Sequence, residues 1–170
     1  HHGMAAAMVL TSFYHIYYMI VTNRGRKLLR AILPKLSDVR EAIQNVMYYT
    51  GLRKDPPRYG HYDYTQKMEY WALVWGTIVM TVTGAVLVWP DFVTAYFPAW
   101  VVRVCETIHF YEAILAVGAI IIWHFFFTIL LVKEYPMSWI WISGKMTKEH
   151  ADHHHPRSHE DGFGEPPEEH

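Results

Sequence analysis

The 170-residue chain is long enough for one domain, and 52% of its residues are hydrophobic and 16% aromatic. Its formal net charge is only −1, so no nucleic-acid partner is expected. The single cysteine, Cys105, excludes an intrachain disulfide, a cluster held by several cysteines and the C-x-x-C-H attachment of a c-type haem.

The first apolar run predicts a membrane-spanning helix at about residues 3–22. It contains His15, and His1 lies fourteen positions earlier (15 − 1). At about 100° per residue, fourteen steps leave a rotation of about −40°, so both rings face one side of the helix. His2, at thirteen steps, is a poorer match. The chain opens on His-His rather than Met inside an apolar run, so we expect further sequence upstream.

A polar connector follows at residues 23–67. Within it, Ser37 and Glu41 open a predicted helix that runs to about Tyr49, and its apolar side favours a position on the membrane surface. Basic residues outnumber acidic ones in this connector. The ten Lys/Arg are at 24, 26, 27, 30, 35, 40, 53, 54, 58 and 67, and the four Asp/Glu are at 38, 41, 55 and 63.

Two further spans are predicted, at about residues 68–89 and 106–132. The short connector between them carries one acid and one base, Asp91 and Arg103. We therefore expect an all-α integral membrane helix bundle with three visible spans and one amphipathic surface helix. The membrane domain is predicted at residues 1–147. Residues 148–170 form a tail rich in histidine and acid, expected to be solvated.

The charge asymmetry predicts the orientation of the spans. Ten basic residues in the first connector against one in the second place the first connector and the C-terminal tail in the cytoplasm. His1 and His109 then lie near the outer face of the membrane, and His15 and His124 lie nearer the inner face. The orientation rule makes no use of the histidines, yet it pairs them at matching depths.

Four histidines at two depths predict two b haems, each held by two axial imidazoles. His109 and His124 are fifteen positions apart (124 − 109), about 22 Å along a helix and about +60° in rotation. A histidine inside a membrane is costly without a partner. The alternatives are isolated polar residues that stabilise helix packing, a proton relay, and structural zinc. A relay needs closely spaced groups, and zinc needs further ligands nearby.

Other charged and aromatic residues have weaker assignments, and no catalytic residue is predicted. Basic residues near the two faces could pair with haem propionates or simply set the topology; they are Arg24, Arg26 and Lys27 inside and Arg103 outside. A quinone pocket is predicted at the inner start of the second span, at Lys67, Glu69 and Tyr70.

The segments HHGMAAAMVLTSFYHIYY, KMEYWALVWGTIVMTVTG, HFYEAILAVGAIIIWHF and YPMSWIWISGK resemble the di-haem cytochrome b subunits of bacterial respiratory formate dehydrogenases and nickel-iron hydrogenases. The resemblance covers about residues 1–147. It implies that His1, His15, His109 and His124 are axial ligands of two haem b groups, and that menaquinone or ubiquinone is the substrate. Such subunits usually have a further helix upstream, and a histidine at the position of Tyr70.

The predicted function is that of a transmembrane electron-transfer subunit in the bacterial inner membrane. It would pass electrons between the quinone pool and an outer partner, either a periplasmic multihaem c cytochrome or an iron-sulfur subunit of a larger complex. The protein supplies ligands and spacing, and the haems supply the redox chemistry. The alternative is a haem-free membrane anchor for a peripheral enzyme.

Overall fold

The computed structural model describes residues 1–126 together with residues 129, 157, 158 and 163. The predicted all-α class is confirmed, because this part of the chain contains helices and turns and no strand. The helices are α1 (His2–Val21), α2 (Asn23–Ile32), α3 (Leu36–Tyr49), α4 (Tyr64–Val88), α5 (Pro90–Tyr96) and α6 (Trp100–Gly118), and a π-helical segment (Ala119–His124) continues α6.

Three helices are long and apolar enough to cross a membrane, as predicted: His2–Val21, Tyr64–Val88 and Trp100–His124. Their large apolar side chains are mostly exposed; Leu73 is 66% and Ile122 75% accessible. Such surfaces are costly in water and favourable in lipid. The hydroxyls of threonines on α4 donate to carbonyls one turn back, which satisfies them inside the span.

The third span differs from its predicted bounds. It begins at Trp100, six residues before the predicted start, and its described part ends in the π-helical segment Ala119–His124. The predicted end at residue 132 lies outside the described residues. The connector before it is also helical, because Pro90 at the first helical position and Asp91 in the first turn favour a short helix there.

A sharp corner at Thr22 joins α1 to α2. The Thr22 backbone is extended, its hydroxyl donates to the Tyr18 carbonyl at 2.9 Å, and the same oxygen accepts the Gly25 N–H at 2.9 Å. A Cβ at Gly25 would lie 2.1 Å from the Tyr18 carbonyl oxygen, so only glycine fits. One hydroxyl therefore ends α1 and begins α2. Helix α2 was not predicted, because its basic sequence was assigned to the polar connector at residues 23–67.

The predicted surface helix is confirmed as α3, which begins one residue earlier than expected. The Asp38 carboxylate accepts the Lys35 backbone N–H at 2.7 Å and so caps the helix start. Val39, Ile43 and Val46 on its apolar side are exposed, at 61%, 57% and 62%. This exposed face fits a helix that lies against the membrane.

Helix α4 starts four residues before its predicted start. Asp63 accepts the Gln66 N–H at 2.8 Å, and the Gln66 side chain accepts the Asp63 N–H at 3.2 Å. This reciprocal capping adds a turn to the apolar span. The start of α4 is also tied to α2, because the Trp71 indole donates to the Ile32 carbonyl at 3.0 Å.

The chain divides into two compact units. The first contains His1–Trp71 and the described tail residues, and the second begins at Ala72. In the first unit, the tail contacts the connector: the Arg157 N–H donates to the Tyr59 carbonyl at 3.1 Å, and the Phe163 ring stacks on His61 at 3.7 Å between centroids. These described tail residues therefore pack on the protein, although the tail was expected to be solvated.

Candidate functional site

His109, half-buried on α6, is held by a hydroxyl on α4 within the second unit. The Thr83 Oγ1 lies 2.9 Å from His109 Nδ1, and the same oxygen lies 2.7 Å from the Val79 carbonyl oxygen. Thr83 is only 5% exposed and is therefore one of the few buried polar residues in the described chain. The imidazole is thus fixed through Nδ1, the nitrogen that usually binds a protein group when Nε2 ligates a metal.

Two glycines of α4 allow α6 to approach closely. A Cβ at Gly84 would lie 3.3 Å from His109 Cε1, and a Cβ at Gly76 would lie 2.7 Å from Glu112 Oε1. Because His109 and Glu112 are one turn apart on α6, they lie on the same face of that helix. The glycines therefore provide the space that these two polar side chains occupy.

His15 has a different environment, within the first unit. Its Nε2 lies 2.9 Å from the Tyr70 hydroxyl, and the two rings are 5.9 Å apart. The Tyr70 hydroxyl therefore contacts the ring nitrogen that a haem iron normally binds. His15 is otherwise exposed on α1.

The other two predicted ligands, His1 and His124, are also exposed. His1 immediately precedes α1, and its carbonyl accepts the Ala5 N–H at 2.9 Å; His124 ends the π-helical segment. Nothing in the structure tests the pairing of His1 with His109 or of His15 with His124, which stays a prediction.

The π-helical segment changes the expected rotation between His109 and His124. A π turn closes hydrogen bonds from i to i+5 and so takes up one extra residue. Fifteen residues through one such turn cover the rotation of fourteen α-helical steps, about −40° rather than the predicted +60°. This matches the offset predicted for His15, on the continuous helix α1, and His1, which immediately precedes that helix.

The predicted quinone residues make separate contacts. Lys67 is 6% exposed and forms a salt bridge with Asp38, at 2.7 Å between Nζ and Oδ1, whereas Tyr70 contacts His15. Glu69 is half-buried on the same turn of α4. The structure therefore joins Tyr70, but not Lys67, to a predicted haem ligand.

Buried charges surround Lys67 in the connector. Glu41 is 7% exposed and lies 3.6 Å from the Arg157 guanidinium. Burial raises the pKa of Glu41 above its ordinary value of 4.5, the Asp38 carboxylate raises it further, and Arg157 and Lys67 act in the opposite direction. Burial also raises the pKa of Tyr62. The cavity here holds about 150 Å³ and is lined by Lys35, Ser37, Asp38, Glu41, Gly60, Tyr62, Lys67 and Arg157.

The predicted propionate partners are exposed arginines with different roles. Arg26 donates to the carbonyls of Ile20 and Val21 at 3.0 and 2.9 Å, and so caps the end of α1. Arg24 and Arg103 are exposed at the start of α2 and on the first turn of α6. The contacts of Arg26 favour a structural role for that residue.

Sequence reasoning missed Thr83, since α4 lacks a histidine. A signal was present: Gly76, Thr83 and Gly84 are spaced by seven and eight residues, which places them along one face of a helix. It also missed Asp38 as the partner of Lys67, a contact between residues 29 positions apart that no local pattern indicates.

Residues 1–134 match the family described as prokaryotic cytochrome b561. The chain belongs to this family. It is also similar to the cytochrome b556(Fdn) subunit of the nitrate-inducible formate dehydrogenase of Escherichia coli strain K12, with 29% identity over 131 residues that cover 74% of this chain and 55% of that protein. The corresponding subunits of Escherichia coli O157:H7 and Shigella flexneri match to the same extent. The chain spans about half the length of these relatives.

Membership of the cytochrome b561 family confirms the predicted resemblance and the expectation of an integral membrane protein of bacterial electron transport that uses haem b. The donor set agrees with a haem. Among residues 1–126 and the four isolated described positions, no three His, Cys, Asp or Glu side chains cluster as a bare metal ion would need. A porphyrin supplies four of the six ligands of its iron, so two imidazoles from different helices suffice.

Proposed function

We propose that this chain is the membrane electron-transfer subunit of a larger respiratory complex, carrying two b haems and exchanging electrons with membrane quinone. The observation that carries the proposal is the fixation of His109. A half-buried imidazole on an apolar span is held through Nδ1 by the buried Thr83 hydroxyl, as the axial ligand of a haem is held by its protein partners.

The four proposed axial ligands are His1, His15, His109 and His124, paired by depth as the sequence predicts. The π-helical segment takes up the extra residue of the longer spacing, so the expected rotation from His109 to His124 matches the one expected from His1, just before α1, to His15. Equal offsets support two stacked sites, since each helix then presents both of its imidazoles in the same relative directions.

When bound, the haems supply reversible one-electron transfer. The residues of this chain hold the imidazoles and exclude water from the spans. His109 already has its Nδ1 bound to Thr83. His15 needs one change, because the Tyr70 hydroxyl must move from Nε2 before that nitrogen can ligate iron.

We propose that quinone binds near the start of α4, at Tyr70 and Glu69 with Lys67 one turn earlier. The nearness of Tyr70 to His15 supports this position, since it places the proposed site beside a proposed haem ligand. The polar cavity beside Lys67, at about 150 Å³, is smaller than the 300–1,000 Å³ typical of cofactor pockets, so we assign no quinone to it.

We place the first connector and the tail together in the cytoplasm. The basic excess of the connector supports the side. The contacts of Arg157 and Phe163 with Tyr59 and His61 support a common side for tail and connector, as the two spans between them require. The outer redox partner would be a multihaem c cytochrome or an iron-sulfur subunit.

The test is the haem content of the purified membrane protein, measured from reduced-minus-oxidised spectra. We expect two b haems per chain, and we expect His109→Ala and His124→Ala each to remove one haem and spare the other. His2→Ala, next to a proposed ligand, is the matched control and should keep both. A chain with no α band would instead be a haem-free anchor, and full haem content in both variants would overturn the ligand assignment.

A further inference from the structure

We propose that Thr83 is a positioning residue that fixes the tautomer and ring orientation of His109, so that Nε2 directs its lone pair at the haem iron. The inference rests on the proposed function, because it assumes that His109 is an axial ligand. It adds a residue on α4, a helix without histidine, to the machinery of the haem site.

The tautomer follows from the hydrogen atoms available. The Thr83 hydroxyl has one hydrogen and contacts three groups: the Val79 carbonyl oxygen at 2.7 Å, the more distant Met80 carbonyl oxygen at 3.5 Å, and His109 Nδ1 at 2.9 Å. A carbonyl oxygen only accepts, so the hydroxyl hydrogen points at Val79. The Thr83 oxygen then accepts from His109, and Nδ1 must carry the proton. In a neutral imidazole this leaves the lone pair on Nε2.

The ordinary role of a threonine in a membrane helix is to donate to a carbonyl one turn back, and Thr77 and Thr81 do this on the same helix. Thr83 makes the same bond and also contacts a ring nitrogen on another helix. The back-bond determines which hydrogen-bonding capacity remains: the Thr83 oxygen is left as an acceptor, which suits an N–H rather than a bare nitrogen.

The neighbouring residue makes the contact possible. A Cβ at Gly84 would lie 3.3 Å from His109 Cε1, closer than ordinary van der Waals contact. Glycine at 84 therefore lets the ring reach the hydroxyl at 83. Two adjacent residues of α4, one small and one polar, set the distance and the direction of the same imidazole.

The consequence is electronic as well as geometric. An acceptor on Nδ1–H increases the electron density at Nε2 and makes the imidazole a stronger ligand. A stronger donor favours ferric over ferrous iron, so the hydrogen bond lowers the reduction potential of the haem that His109 ligates. Removal of the acceptor should raise that potential.

The test is a redox titration of the holoprotein in detergent, with Thr83→Val as the variant that keeps the shape and removes the hydroxyl. Loss of such a partner typically changes metal affinity 10–100-fold. A tenfold change in the ratio of ferric to ferrous binding corresponds to about 59 mV, here toward positive values, in one of the two haems. Thr83→Ser should restore the potential.

Thr81→Val is the matched control, because Thr81 makes only the carbonyl bond on the same helix. It should leave both potentials unchanged. If Thr83→Val loses one haem that Thr83→Ser and Thr81→Val retain, the positioning role is supported; an equal loss in Thr81→Val overturns it. A Thr83→Val protein with two haems at unchanged potentials also overturns it. The proposed function would survive that result, whereas full haem content in His109→Ala would remove its basis.

Discussion

In the two histidine-bearing spans, a hydroxyl group contacts a different ring nitrogen of the histidine. On α1, His15 is contacted at Nε2 by a tyrosine hydroxyl, at 2.9 Å; on α6, His109 is contacted at Nδ1 by a threonine hydroxyl, also at 2.9 Å. The distances are equal, but the nitrogens differ. The Tyr70 hydroxyl contacts Nε2, the nitrogen that would bind iron, and so competes with the metal. The Thr83 hydroxyl contacts Nδ1 and leaves Nε2 for the iron. The two hydrogen bonds should therefore have opposite effects on haem binding.

The spans also differ in how they space their histidines. Helix α1 is α-helical from His2 to Val21, and His1, which immediately precedes it, is fourteen residues from His15, whereas the third span uses fifteen residues and a π-helical turn. The comparison shows that the number of residues between two histidines gives their relative direction only when the helix type is known.

Deletion of one residue should have the largest effect, because it should change haem content in α1 and not in the third span. Deletion of Ile121 lets the π turn become α-helical and keeps the direction of His124, so both haems should remain. Deletion of Met8 from α1 has no π turn to absorb it and rotates His1 against His15 by about 100°. That variant should lose a haem completely. Haem content from pyridine haemochrome spectra is the measurement.

Insertion of one alanine after Ile121 is the matched control for the deletion. It makes the spacing sixteen residues, which the π turn cannot offset, and should remove the haem on His124. If the deletion and the insertion were equally damaging, the third span would behave as a plain α-helix, and the proposed equality of the two offsets would fail.

Gly84→Ala should weaken haem binding at His109 and leave the site at His15 unchanged. The new Cβ meets a ring carbon at 3.3 Å, so the imidazole has to shift by a few tenths of an ångström away from Thr83. We expect about a tenfold loss of haem affinity at that site, measured as haem retention during dilution in detergent. Gly118→Ala, where a Cβ meets no atom within 4 Å, should retain haem as the unchanged protein does.

Tyr70→Phe should act in the opposite direction, on the His15 side. Removal of the hydroxyl leaves Nε2 without this competitor for iron. A hydrogen bond between side chains in a membrane protein averages about 0.6 kcal/mol, so haem should bind about threefold more tightly. Titration of haem into protein purified without it measures the change. Weaker binding in Tyr70→Phe would instead indicate that the tyrosine supports the haem site.

Much of this architecture could be predicted from the sequence, for identifiable reasons. Long apolar runs locate the three spans, because a helix that crosses the bilayer core needs about 20 consecutive apolar residues. The π turn could not be predicted, since its alanine, isoleucine and tryptophan residues are also found in α-helices. Thr83 was missed because its partner lies 26 residues away, and its role depends on helix phase. The corner at Gly25 needs a backbone contact that no composition rule contains.

The smallest expected effect concerns the buried charges around Glu41 in the first unit. Because burial and Asp38 raise the pKa of Glu41, the folded state binds its proton more tightly than the unfolded state does. The stability that this group contributes is complete below the ordinary pKa of 4.5 and is lost as the pH rises through the raised value in the folded protein.

Glu41→Gln should therefore remove this loss and stabilise the protein at neutral pH by about 1 kcal/mol or less, since an ion pair with the half-exposed Arg157 offsets part of the cost of burying the Glu41 carboxylate. Thermal unfolding in detergent between about pH 4 and pH 8 measures the difference. Convergence of the two proteins at low pH and divergence toward pH 8 is the expected pattern, and a destabilised Glu41→Gln at pH 8 would show that the Arg157 pair outweighs the cost of burial.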